Sequence, residues 1–149
     1  MRERLAAILL LAVAAGAVAR VLAQDSQTFK ARLSPVPISA DMVTRITGSG
    51  SLTGVLTGTT LTLTGLFTGL QSAATTAHVH IGERMGVRGP AAFDVRVDPA
   101  TTGAMSATIA LNESQIAALK RGFFYVQIES EKAPDGNLWG WLLLPEVRR

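Results

Sequence analysis

Two histidines and one strand-borne glutamate hold most of the chemistry open to this chain. His78 and His80 are its only histidines. They stand two apart in Ala77-His78-Val79-His80-Ile81, where alternation predicts a strand. Both imidazoles then leave one face while Val79 and Ile81 fill the other. In residues 123–130 the apolar set is Phe124, Val126 and Ile128, which turns Tyr125, Gln127 and Glu129 the opposite way. If the two strands share a sheet, His78, His80 and Glu129 converge. Two imidazoles and a carboxylate suit zinc, copper(II) or non-haem iron. The same side chains also suit a hydrogen-bonded polar patch that braces residues 82–90, and spacing alone leaves both readings open.

Trp139 and Trp141 alternate with Leu138, Gly140, Leu142 and Leu144. Either this is a central strand covered on both faces, or the aromatic pair is displayed with Tyr125 and Gln127 as a ligand or partner surface. Catalytic signatures are missing. There is no Gly-x-Ser-x-Gly elbow, and the glycines between 48 and 58 lack the Lys-Ser/Thr ending of a phosphate loop. Glu129 and Glu131 are the only tight acidic pair and read as solvated. Cysteine is absent, which removes thiol chemistry, iron–sulfur ligation and disulfides. Two histidines are too few for a dismutase-type copper–zinc centre. The expectation is a non-enzymatic protein.

These residues need a frame to position them. At 149 residues the chain is one domain long. Hydrophobic residues make up 48%, and much of the excess lies in residues 5–18. Arg2 and Arg4 precede that run, and Val21-Leu22-Ala23 leads into polar Gln24-Asp25-Ser26. A positive start, an apolar middle and a small-residue exit predict a secretory signal over 1–23, cleaved after Ala23 or alternatively Ala19. The run is too short for a comfortable bilayer span, so no permanent membrane span is expected. The formal net charge is +3, and the signal holds Arg2, Arg4 and Arg20 against Glu3, which leaves +1 on the mature part. With no basic run there, nucleic acid is not an expected partner.

After a short linker at 24–28, the text reads as strands up to residue 145, with 146–149 a loose tail. Residues 29–34 alternate until Pro35 and Pro37 break them, in the manner of an edge strand. Residues 49–70 form a hairpin about Gly58-Thr59. Strands follow at 77–81, 92–97 and 105–111, with a loop at 82–90 and a turn at 98–103. Asn112 and Gln115 make a capping-box start for a short helix that Gly122 stops. A strand at 123–130, a turn at 133–136 and a last strand at 138–144 complete an all-β pattern with one short helix. Such spacing argues for a sandwich or barrel.

Several segments, in order, resemble the CHRD family, the domain named for its occurrence in chordin and found in many bacterial exported proteins. They are Phe29-Lys30-Ala31-Arg32-Leu33-Ser34, Ala77-His78-Val79-His80, Gly89-Pro90, the helix leading into Gly122-Phe123-Phe124-Tyr125-Val126, and Pro134-Asp135-Gly136-Asn137-Leu138-Trp139-Gly140. The resemblance implies an immunoglobulin-like antiparallel β-sandwich, similar in outline to copper/zinc superoxide dismutase, and no established enzymatic activity. Glu129 stands where the family places a histidine, and Asn137 and Trp139 where it tends to place Glu and Arg. The expected role is an exported binding or accessory module, periplasmic or extracellular, whose partner is an unknown protein or small ligand. The alternative is a zinc- or copper(II)-binding protein using His78, His80 and Glu129; no other cofactor is expected.

Overall fold

A computed structural model describes residues 25–145 except Ile38. The expected signal over 1–23 and the tail at 146–149 lie outside the described residues. Eight strands account for most of the fold: β1 (Ser26–Pro35), β2 (Ser49–Thr57), β3 (Thr60–Thr68), β4 (Ala74–Ile81), β5 (Ala91–Val97), β6 (Gly103–Ala110), β7 (Phe124–Ser130) and β8 (Ala133–Trp141). One α-helix, α1 (Glu113–Lys120), joins β6 to β7, and a single 3-10 turn, Ala40–Met42, lies between β1 and β2.

The strands close in the order β1-β2-β3-β6-β5-β4-β7-β8, and every pairing is antiparallel. The expected sandwich is therefore corrected to a closed barrel. Two walls, β1-β2-β3-β6 and β5-β4-β7-β8, are zipped together at both seams by short ladders. Arg96 and Val97 pair with Ser106 and Met105 at one seam, and Ser34 and Pro35 with Trp139 and Leu138 at the other. β1 is consequently not an edge strand, because it has β2 on one side and β8 on the other. Consecutive β4, β5 and β6 lie side by side with β7 beside β4, a Greek-key arrangement. Two boundaries also shift. Residues 26–28, expected as linker, pair with 55–57, and the expected turn at 133–136 is strand, with Ser130 opposite Ala133.

Alternation explains the interior. Phe29, Ala31 and Leu33 face inward from β1, as do Leu52 and Leu56 from β2 and Leu61, Leu63 and Phe67 from β3. The opposite wall contributes Ala77, Val79, Val95, Phe124, Val126, Ile128 and Leu138 to the same cluster. Two-residue pairing Thr57↔Thr60 brackets Gly58, whose φ of 60° meets the first-position requirement of a hairpin turn that Thr could not meet cheaply. The α1 capping box forms as expected: Gln115 N–H donates to Asn112 Oδ1 at 2.9 Å, and Asn112 N–H to Gln115 Oε1 at 2.9 Å. Leu119 is driven fully into the core, so α1 closes the barrel end at which β6 leaves and β7 enters. The eight strands and α1 all lie within residues 26–141.

Candidate metal centre

β4 and β7 are neighbours, with His78 opposite Gln127, His80 opposite Tyr125 and Thr76 opposite Glu129. β8 continues the sheet, setting Trp139 opposite Gln127 and Trp141 opposite Tyr125. The outer face thus carries the row His80-Tyr125-Trp141, below it His78-Gln127-Trp139, and below that Thr76-Glu129. Diagonal neighbours across a ladder are within reach of long side chains. One ligand atom from each of His78, His80 and Glu129 lies within 4.8 Å of the other two. The three residues expected to converge do so.

The neighbours of these three were less legible. Every residue of β7 is buried, on the outer face as well as the inner. Glu129, expected in solvent with Glu131, is only 8% exposed, while Glu131 is exposed in the following turn. Burying a carboxylate demands partners. Gln127 Nε2 donates to Glu129 Oε1 at 2.9 Å, and Thr76 Oγ1 donates to Oε2 at 2.9 Å. Gln127 Nε2 also reaches the Asp135 carbonyl at 3.3 Å. Both carboxylate oxygens are thereby aimed. His78 Nδ1 stands 3.3 Å from Glu129 Oε2, and its Nε2 stands 3.6 Å from Asp94 Oδ1 on β5.

His80 is held differently. Its Nδ1 is 2.9 Å from the Gly89 carbonyl oxygen. A carbonyl only accepts, so Nδ1 carries the proton and a neutral ring keeps its lone pair on Nε2. That Nε2 is buried and has no hydrogen-bond partner. Among the described residues Gln27 Oε1 shares this condition, but it is not part of the one cluster of three histidine or acid side chains, which is His78, His80 and Glu129.

Gly89 organises this corner. Tyr125 Oη donates to the Gly89 carbonyl at 3.1 Å and accepts from its N–H at 3.1 Å. Any Cβ on Gly89 would collide with the Ile81 carbonyl, so only glycine lets residues 82–90 press this close to β4. Tyr125 stacks on His80 at 4.8 Å between centroids and meets Trp141 at 4.6 Å and Trp139 at 5.7 Å.

The structure therefore divides the proposed ligand or partner surface. Tyr125 and Gln127 are buried and brace the histidine cluster, whereas Trp139 and Trp141 are half-buried on the outer face of β8. Neither tryptophan belongs to the barrel interior, which Leu138 and Leu142 fill. Trp139 leans on a satellite cluster of Val36, Ile46 and Ala133, with the Arg88 guanidinium 5.4 Å from its ring centroid.

Set against known proteins, residues 29–142 match the model of the CHRD domain. This chain belongs to the CHRD family. No curated protein and no solved structure gives a significant match. In this CHRD domain Asn137 is fully buried and structural: it accepts from Ser130 Oγ at 2.9 Å and donates to the Thr47 carbonyl at 2.8 Å. Sequence reasoning missed Thr76, Gly89 and Asp94. Thr76 shares the two-residue period of His78 and His80 and could have been found that way. Asp94 required the β4–β5 register, which pairs it with His78.

Proposed function

We propose that this CHRD domain is an exported binding module, without catalysis of its own, that holds a divalent zinc or copper(II) ion on His78, His80 and Glu129. The observation that carries the reading is His80 Nε2, a buried lone pair with no partner, grouped with a second imidazole and a carboxylate. Two ligand atoms on one tetrahedral zinc at about 2.0–2.1 Å stand roughly 3.3–3.4 Å apart. His78 Nδ1 and Glu129 Oε2 already have that spacing.

The surroundings suit the same role. A ligating imidazole usually donates its other N–H to a carbonyl or carboxylate, which fixes tautomer and ring angle. The Gly89 carbonyl does this for His80, and Asp94 is placed to do it for His78. Gln127 and Thr76 fix the carboxylate. Three protein ligands leave a position for water or a small ligand, so affinity is modest compared with a closed four-ligand site. A carboxylate in place of a third imidazole favours borderline metals over soft copper(I).

Calorimetry of the purified protein with zinc and with copper(II) tests this. Saturable binding of one ion is expected, lost in His80→Ala and weakened on acidification, because a protonated imidazole cannot ligate. No binding of either ion would leave the cluster as a hydrogen-bonded brace for residues 82–90. Export has its own check: the secreted or periplasmic form should begin at Gln24 by mass spectrometry, and retention of the residues before Arg20 would defeat it.

A further inference from the structure

The end of the barrel beside the loop at 82–90 collects features that the histidine cluster does not use. Six large hydrophobic side chains are exposed among the described residues, and four of them, Met85, Val87, Leu143 and Leu144, belong to this end. Met85 is 57% exposed at the loop tip and Leu143 40% exposed just past β8.

The register brings their segments together. Gly82 N–H donates to the Phe123 carbonyl, Leu142 N–H to the Phe124 carbonyl, and Lys30 and Leu143 exchange both backbone bonds. Half-buried Trp141 and Phe123 share the same outer surface. Five exposed cations rim it: Lys30, Arg84, Arg88, Lys120 and Arg121. Arg84 and Arg88 bracket Met85 and Val87 within one loop, and the Arg121 guanidinium lies 4.9 Å from the Phe123 ring centroid. Against them the same segments carry one described acid, Glu83, and none of the five cations makes an ion pair among the described residues.

We propose that this end of the barrel docks peripherally on an anionic lipid surface, with Met85 and Val87 entering the headgroup–acyl boundary and the five cations meeting lipid phosphates. Aliphatic tips between arginines fit a bilayer, whose charge lies in a plane above hydrocarbon. Tryptophan beside them suits the interfacial layer, where a ring can be half wet. The fold weighs against a peptide strand as occupant. At this end β4 and β7 are paired on both sides, so neither presents a free sheet edge to extend. A sugar platform would need flat, open aromatic faces. Here Trp139 and Trp141 meet at 64°, and Arg88 lies over Trp139.

The test is co-sedimentation of the chain from Gln24 onward, which lacks the N-terminal apolar run, with vesicles. Mixed phosphatidylglycerol–phosphatidylcholine vesicles are compared with phosphatidylcholine alone, both with chelator so that the metal site plays no part. Binding to the anionic vesicles only is expected, with a blue shift of tryptophan emission and weakening by added salt. The pair Arg84→Gln and Arg88→Gln should reduce partitioning about thirtyfold, roughly fivefold for each cation near the surface. The pair Met85→Ser and Val87→Ser should reduce it about tenfold or more through lost apolar burial. All four positions are exposed, so unchanged melting curves will certify that the variants are folded. Absent binding, equal binding to both vesicle types, or indifference to both double variants overturns the proposal. Binding to an acidic polysaccharide but not to vesicles, with Trp139→Ala sensitivity, would overturn it in favour of a glycan platform.

Discussion

On β3 the side chains of Thr60, Thr62, Thr64, Leu66 and Thr68 alternate outward into solvent while Leu61, Leu63 and Phe67 alternate into the core. On β7, across the barrel, the same alternation runs through Phe124, Val126 and Ile128, yet the outer-side residues Tyr125, Gln127 and Glu129 are buried too. The cause is a second layer. Residues 82–90 fold over Tyr125, and the Asp135-Gly136 segment of β8 presses on Gln127, where a Cβ on Gly136 would come within 3.0 Å of the amide. Hydroxyls left in water constrain nothing. A glutamine and a glutamate removed from water cost stability unless every polar atom is matched. The covered wall is therefore where a functional arrangement can be held rigidly, and the open wall is scaffold.

The contrast is broken most drastically from inside. Val126→Asp should prevent folding, because a charge in the core cluster costs several kcal/mol against a total stability of about 5–15 kcal/mol for such a domain. Thr64→Asp on the open wall should shift stability by no more than about 0.5 kcal/mol. Circular dichroism melts of both variants check the pair. A folded Val126→Asp with an unchanged melt would mean that Val126 does not lie in the core cluster.

The next effect separates polar groups on the two outer faces. Gln127→Ala removes a donor to Glu129 and leaves a buried carboxylate oxygen unmatched, which should cost about 1–3 kcal/mol. The same change should weaken metal binding by about 10–100-fold, as loss of an outer-sphere partner does. Thr62→Ala, the open-wall control, should alter neither quantity. If Gln127→Ala destabilises the protein but leaves affinity intact, the amide serves the fold alone.

These side chains also mark the boundary of what the sequence could tell. Period-two alternation placed His78, His80 and Glu129 on one outer face because the pleat allows no other outcome once Val79 and Val126 are inward. The capping box of α1 and the Gly58 turn were legible for an equally local reason. Barrel closure was not, since it depends on a two-pair ladder at Ser34–Trp139 that joins residues from opposite ends of the domain, while the Val97–Met105 pairing across a short turn does not by itself say that the walls close. The burial of Glu129 was hidden too. It depends on Thr76, His78 and Gln127 closing around the carboxylate, which only the β4–β7 register brings together. The turn expected at 133–136 failed because Pro134, Asp135 and Gly136 form a turn-like string, while the register places the reversal at Glu131 and Lys132.

The smallest expected effect lies at the seam between the walls. Asp94 on β5 sits opposite His78 in the register, with its carboxylate 3.6 Å from Nε2. It resembles the partner that orients a ligating imidazole, but its side chain is 99% exposed. Water at that carboxylate competes for the imidazole N–H and screens the charge, so little of the interaction survives. Asn in its place keeps an oxygen that can still accept. Asp94→Asn should therefore weaken zinc binding less than Gln127→Ala does, by under about tenfold at the low end of outer-sphere effects. Stability should be unchanged. Titrations of the two variants side by side decide the point. An Asp94→Asn loss that equals or exceeds that of Gln127→Ala would mean that the carboxylate itself joins the ion as a ligand, and that the site extends from the covered wall onto β5.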